Sequence, residues 1–234
     1  MWYIVDCEEG AGIYLGFKEN ADKETVRERV KRGEGLTELL RWVPVKKGDV
    51  FFIPAGTVHA IGAGCFVCEI QQSSDVTYRL YDYDRRDKYG NKRRLHLAQA
   101  FDVMRIQTYG ESENAAGENP AESDTPAEGD TPAEGGEELL SPLPDAGNGD
   151  AGGVRARLLG RCKYFESRLY TVEHAAEVTV GEESFVSLVF LSGKGRLVRG
   201  DAEITYWAGD SVFVPSGEKK FVLEGPCEVI ATRV

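Results

Sequence analysis

Two stretches of this chain repeat one another. Residues 48–56 read Gly-Asp-Val-Phe-Phe-Ile-Pro-Ala-Gly, and residues 209–217 read Gly-Asp-Ser-Val-Phe-Val-Pro-Ser-Gly. They lie 161 residues apart and agree at the Gly, Asp, Phe, Pro and Gly positions. In each, Gly-Asp predicts a turn, the apolar run a short buried strand, and Pro-x-Gly its end. A match of this kind within one chain predicts two copies of one β-domain. The copies diverge where chemistry would sit. His59 follows the first motif on the next predicted strand, and Lys220 holds the matching place after the second.

Strand signals surround both motifs. Trp2–Val5 and 13–17 read as strands. Residues 20–32 switch to helical spacing, with Asn20 or Asp22 as cap and Val26 and Val30 inward. Leu36, Leu39 and Leu40 suggest a second short helix. Both helices read as an insertion, 20–41, between strands. Further strands are expected at 43–45, 58–61, 65–71 and 76–81, and an amphipathic helix at 95–106. From about residue 158 eight short strands recur at regular spacing, with Ser192-Gly193-Lys194-Gly195 read as a hairpin turn. Such spacing predicts a small barrel or jelly roll. About two strands precede the one at 184–191, whereas nothing precedes its counterpart Trp2–Val5. The first domain is therefore expected to be truncated at its N-terminus, with an open edge and marginal solubility.

Composition divides the chain. Residues 111–153 hold twelve acidic residues and no Lys or Arg. The formal net charge of −11 comes from that stretch, and the remainder is close to neutral. Pro-Ala-Glu-x-Asp-Thr repeats at 120–125 and 126–131, with few large aliphatics. Such a segment buries too little to offset its ordering entropy, so it reads as a disordered acidic linker or an interaction tether. The expected domains are 1–110, the linker 111–153, and 154–234. No apolar run reaches membrane-span length, and no basic n-region marks a signal peptide. No basic patch interleaved with aromatics points to nucleic acid. The five cysteines are odd in number. Cys65 and Cys68 stand on opposite faces of one predicted strand and have no second pair to complete a metal ribbon. Reduced thiols and a cytoplasmic location are expected.

The motif with its following His resembles the cupin signature, in which that His is a metal ligand. The longer run, Pro54-Ala55-Gly56-Thr57-Val58-His59-Ala60-Ile61-Gly62 and then 69–83, Glu-Ile-Gln-Gln-Ser-Ser-Asp-Val-Thr-Tyr-Arg-Leu-Tyr-Asp-Tyr, resembles type I mannose-6-phosphate isomerases of the short bacterial form. The resemblance runs from Trp2 to the helix after Leu95-His96-Leu97, skips the linker, and resumes weakly in the second copy. It implies a mainly β fold of two cupin jelly rolls, the second metal-free. It implies interconversion of mannose 6-phosphate and fructose 6-phosphate through an enediol, aided by one divalent metal, usually zinc. His59 matches the last metal ligand and Arg79 the catalytic Arg. Glu69 is a candidate acid/base group, or else a structural carboxylate. Asp49 reads as a turn stabiliser, and His96 and His174 as structural.

The family's other ligands, a Gln-x-His pair and a Glu, lie upstream of the matching segment, as does a phosphate-contacting Lys. This sequence holds none of them, and one His cannot hold zinc tightly. The expectation is an isomerase polypeptide that is weak or inactive alone: a gene fragment, a late start codon, or one half of a split enzyme partnered by a separate N-terminal fragment. The alternative is a non-catalytic bicupin that binds or senses sugar phosphates.

Overall fold

A computed structural model describes residues 1–108, 139–141 and 153–234, apart from Asp75, Asp84 and Glu218. The chain divides into two compact units, Met1–Pro126 and Ala127–Val234. Both are mainly β.

The first unit contains β1 (Trp2–Cys7), β2 (Gly12–Phe17), α1 (Lys23–Arg32), α2 (Leu36–Leu39), β3 (Leu40–Pro44), β4 (Val50–Phe51), β5 (His59–Ile61), β6 (Cys65–Glu69) and α3 (Leu97–Val103). Among the described residues, its strands form two antiparallel three-stranded sheets, β4-β1-β6 and β3-β2-β5. Trp2, Ile4, Ile13, Leu15 and Phe51, drawn from both sheets, pack together. Helix α1 starts and stops where the sequence says it should, whereas α3, expected over 95–106, is confined to Leu97–Val103. Asp22 caps α1 by accepting the Thr25 N–H at 2.9 Å. Gly33 closes α1 at φ +73°, in the left-handed region that glycine enters without strain. Val26 and Val30 of α1 share a second core with Phe17, Phe101 and Met104.

The second unit contains β7 (Leu140–Ser141), β8 (Val154–Arg161), β9 (Glu166–Val172), β10 (Ala175–Val180), β11 (Val186–Arg199), β12 (Ala202–Trp207), β13 (Ser211–Val214), β14 (Lys219–Glu224) and β15 (Cys227–Arg233). They run β7-β10-β14-β11-β15-β9-β8, with β12 and β13 also on β11. The first half of β11 pairs with β13 and β15, and its second half pairs with β12 and β14. The sheet thereby curls around Tyr170, Leu188, Phe190, Tyr206 and Leu223, as in a cupin jelly roll.

Three expectations need correction. Ser192–Gly195 is no hairpin turn but the bend of the 14-residue β11. Gly193 lies at φ +86°, and a Cβ there would sit 2.0 Å from the Pro226 carbonyl oxygen. A Cβ on Gly195 would sit 1.8 Å from that of Glu224. The glycines permit close backbone approach where one strand passes between two sheets. Residues 76–81 form no strand. The Arg79 N–H donates to His96 Nδ1 at 3.2 Å, and the Arg79 carbonyl accepts the His96 N–H at 2.8 Å. These bonds stand in place of a ladder. Within the stretch read as linker, Leu139 and Leu140 are buried in the second core and β7 pairs with β10. Two adjacent leucines supply the apolar burial that the acidic repeats lack. The hexad repeats themselves lie outside the described residues.

The internal repeat holds at the level of individual bonds. Asp49 accepts the Lys46 N–H at 2.9 Å, and Asp210 accepts the Trp207 N–H at 2.8 Å. Gly48 N–H donates to Ile4 O and Ile4 N–H to Asp49 O, while Gly209 N–H donates to Phe190 O and Phe190 N–H to Asp210 O. Asp49 is thus the turn stabiliser that the sequence suggests. Strand β1 is the counterpart of the first half of β11. The two sheets β4-β1-β6 and β3-β2-β5 then correspond to β13-β11-β15 and β12-β11-β14. In the second unit β15 and β14 are each extended by two more strands, β9-β8 and β10-β7. In the first, no described strand pairs the outer edge of β6 or β5.

Candidate functional site

Two of the three sequence-predicted site residues meet, at those two open strands. His59 begins β5 and Glu69 ends β6. Between them stands Trp2, only 4% exposed. Its position on β1 is opposite both Phe51 of β4 and Glu69 of β6. The indole Nε1–H donates to Glu69 Oε1 at 3.0 Å. The indole and the His59 ring meet edge to face, with centroids 5.2 Å apart and planes at 77°. One buried indole therefore holds the carboxylate by a hydrogen bond and the imidazole by ring contact.

His59 has a defined tautomer. Its Nδ1 lies 2.7 Å from the Thr57 carbonyl oxygen, which can only accept, so Nδ1 carries the proton. In the neutral ring Nε2 then carries the lone pair, the form suited to a metal or to a substrate proton. The Pro54–Thr57 turn sets this up. The Thr57 N–H donates to Pro54 O at 3.1 Å, and Gly56 at φ +84° reverses the chain ahead of β5. A Cβ on Gly56 would sit 2.4 Å from the Val103 carbonyl oxygen, so the turn also requires glycine for space. Thr57 is buried, and its Oγ1 has no hydrogen-bond partner among the described residues. Beyond Glu69 the chain forms an open polar recess lined by Gln71, Gln72, Ser73 and Ser74.

Arg79 belongs to a different set of contacts. Its guanidinium NH1 donates to Arg94 O at 3.2 Å, and its backbone is tied to His96. These bonds tie Arg79 to the segment before α3. His96 precedes α3 and spends Nδ1 on the Arg79 N–H, which is a structural role, as expected. Nearby, Arg93 grips the buried Asp82 carboxylate through two nitrogens, one at 2.7 Å. That grip holds the Asp82 carboxyl below its usual range, with smaller help from the charges of Arg79 and Arg85. The Asp82 charge nearest Arg79 is thus already paired with Arg93.

The donor set does not fit a zinc site. Among the described residues no group of three His, Cys, Asp or Glu could hold a metal ion. His59 offers one nitrogen, and Glu69 has one oxygen committed to an indole. Structural and catalytic zinc sites take at least three protein ligands. Trp2 is the residue that sequence reasoning misses. The signal available was the repeat itself, which aligns the first strand with the inner strand of the second copy.

The family model described as mannose-6-phosphate isomerase, cupin domain, matches residues 157–234. The chain is 34% identical over 233 residues to mannose-6-phosphate isomerase ManA of Bacillus subtilis, covering 100% of this chain and 63% of that protein. It is 34% identical over 232 residues to a mannose-6-phosphate isomerase of Streptococcus mutans, covering 99% of this chain and 62% of that one. The crystal structure of the Bacillus subtilis mannose 6-phosphate isomerase superposes with a TM-score of 0.72 at 28% identity, again over 100% of this chain and 63% of the other. The chain spans less than two thirds of the length of these relatives. By sequence and by fold, the chain is homologous to cupin-superfamily mannose-6-phosphate isomerases over the part of them that it matches.

Proposed function

We propose that this polypeptide, taken by itself, is a sugar-phosphate-binding bicupin that carries part of an isomerase site and does not turn over. One observation carries the reading. His59, Trp2 and Glu69 form an ordered polar cluster on the open strands of the first unit, yet the donors described there number too few for a metal. In this reading Arg79 receives the anionic end of the substrate, since a guanidinium suits phosphate or a developing oxyanion. Glu69 and His59 Nε2 face the bound sugar, and Glu69 would pass a proton between C1 and C2 only in a completed site. The bland role for Glu69, anchoring Trp2, is compatible with this, because only one of its oxygens is used. Fructose 6-phosphate titrated into the purified chain in a calorimeter tests the proposal. Saturable binding that weakens in Arg79→Ala, with fructose as the non-binding control, is expected. Equal heats for sugar and sugar phosphate would defeat it.

A second reading rests on the strand count. Among the described residues, the first unit's sheets have three strands each, where the corresponding sheets of the second have five. Strands supplied by a further polypeptide segment, laid on the edges of β5 and β6, would bring additional ligands beside His59. The assembly would then be a mannose-6-phosphate isomerase in full, with a divalent metal such as zinc.

A further inference from the structure

We propose that Cys7 and Cys65 are a dithiol site that closes to a cross-strand disulfide, fastening β1 to β6 at the end opposite Trp2 and Glu69. The two residues are 58 positions apart in sequence and directly opposite in the antiparallel β1–β6 ladder. Their ladder position is the favourable one. The Glu8 N–H donates to Gly64 O at 2.8 Å, so the next opposed pair along, Glu8 with Gly64, is a hydrogen-bonded one. Cys7 and Cys65 are then a non-hydrogen-bonded pair, where Cα atoms stand about 4.5 Å apart and side chains are closest. That separation lies within the range of about 4.4–6.8 Å that a disulfide spans.

The side chains also share a face. Both sulfurs pack against the cluster of Trp2, Ile4, Ile13, Leu15 and Phe51. Alternation along β6 places Cys65 and Val67 inward and Phe66 outward, which removes Cys68 from reach of Cys65. As thiols, Cys7 donates to Val45 O at 3.6 Å and Cys65 to Gly12 O at 3.4 Å. Sulfur donors are weak, and Gly12 O keeps the Gly62 N–H at 3.0 Å, so closure strands little. Burial raises the Cys65 thiol pKa, and the charge of Cys7 raises it further, as two sulfurs on one face should. Both residues are partly exposed, which leaves them open to a small oxidant. The counterpart pair in the second unit is Gly193 opposite Cys227, which cannot close.

The chemistry balances with a low-molecular-weight disulfide as oxidant. One thiolate attacks it and releases one small thiol. The second cysteine thiolate attacks the mixed disulfide and releases the other. Two protein thiols are oxidised to one S–S bond, and one small disulfide is reduced to two thiols.

The test uses the full chain. It is incubated with hydroxyethyl disulfide, alkylated with iodoacetamide, digested without reduction, and mapped by mass spectrometry. The expected result is a dominant Cys7–Cys65 linked peptide, with a higher melting temperature that dithiothreitol reverses. The melting shift is expected to vanish in Cys65→Ser and to persist in Cys68→Ser. Alkylation of Cys7 and Cys65 to the same extent as in the reduced chain would overturn the proposal, as would a dominant Cys65–Cys68 link. The mapping is done on the unmutated chain, so it stands even if a variant fails to fold.

Discussion

Replacing Glu166 by Gln should damage the second unit more than any other single change of charge. Glu166 is 7% exposed and begins β9. It accepts from Arg168 Nε at 2.8 Å, from Arg161 Nε at 2.5 Å and from Arg233 at 3.4 Å. Three guanidiniums from β8, β9 and β15 therefore converge on one carboxylate. Burial pushes that carboxyl up, but the hydrogen bonds and charges of Arg168 and Arg161 outweigh it, and the net effect holds it below its usual range. Glutamine keeps one acceptor oxygen and turns an NH2 toward a guanidinium, setting donor against donor. Breaking a buried pair by losing one partner costs about 3–5 kcal/mol. The lower end applies here, because Arg161 is half exposed and its share is screened by water. With a urea m-value of about 1–3 kcal/mol/M, a loss of about 3 kcal/mol lowers the midpoint by on the order of 2 M. The assay is urea unfolding read by hydrogen exchange on peptides from β9 and β15, which isolates the second unit's transition from the first. The pH dependence carries the sign of a depressed acid. Its contribution is fully present above the unfolded Glu value of about 4.3 and is lost as pH falls through the lower folded value. The gap between the unmutated chain and Glu166→Gln should accordingly narrow below about pH 4. A change under about 1 kcal/mol at pH 7, or a gap independent of pH, would refute the reasoning.

Three further outcomes are expected. Asp49→Ala and Asp210→Ala should each cost about 1 kcal/mol, and each should lower the midpoint of its own unit only, because each carboxylate closes one copy of the same turn. Leu140→Ala should cost about 2–5 kcal/mol in the second unit's unfolding, since Leu140 is fully buried in that core. Gly195→Ala should cost about 3 kcal/mol or more by circular dichroism melting, because its Cβ would lie 1.8 Å from the Glu224 carbonyl oxygen.

The sequence made the repeat legible because its Gly-Asp turn is built from local bonds. The same locality fixed α1, whose Asp22 cap and Gly33 stop are both short-range. Long-range pairing was not legible. The alternation at 76–81 looks the same whether the backbone bonds a neighbouring strand or, as here, a histidine. Gly193 and Gly195 suit a turn equally well as a bend forced by close backbone approach. At the site, His59 and Glu69 could be nominated by resemblance. Their meeting across Trp2 depended on the register of β1 with β6, which no local signal sets. The facing of Cys7 and Cys65 was hidden for the same reason.

Whether this chain holds only part of an isomerase site is tested most directly by the mannose-6-phosphate isomerase activity of the purified chain with zinc. It should be measured with and without a fragment of the Bacillus subtilis isomerase covering the part that this chain does not match. The chain alone should give no turnover, and the chain with the fragment should give turnover that is lost in His59→Ala. Turnover by the unaccompanied chain would contradict the partial-site reading.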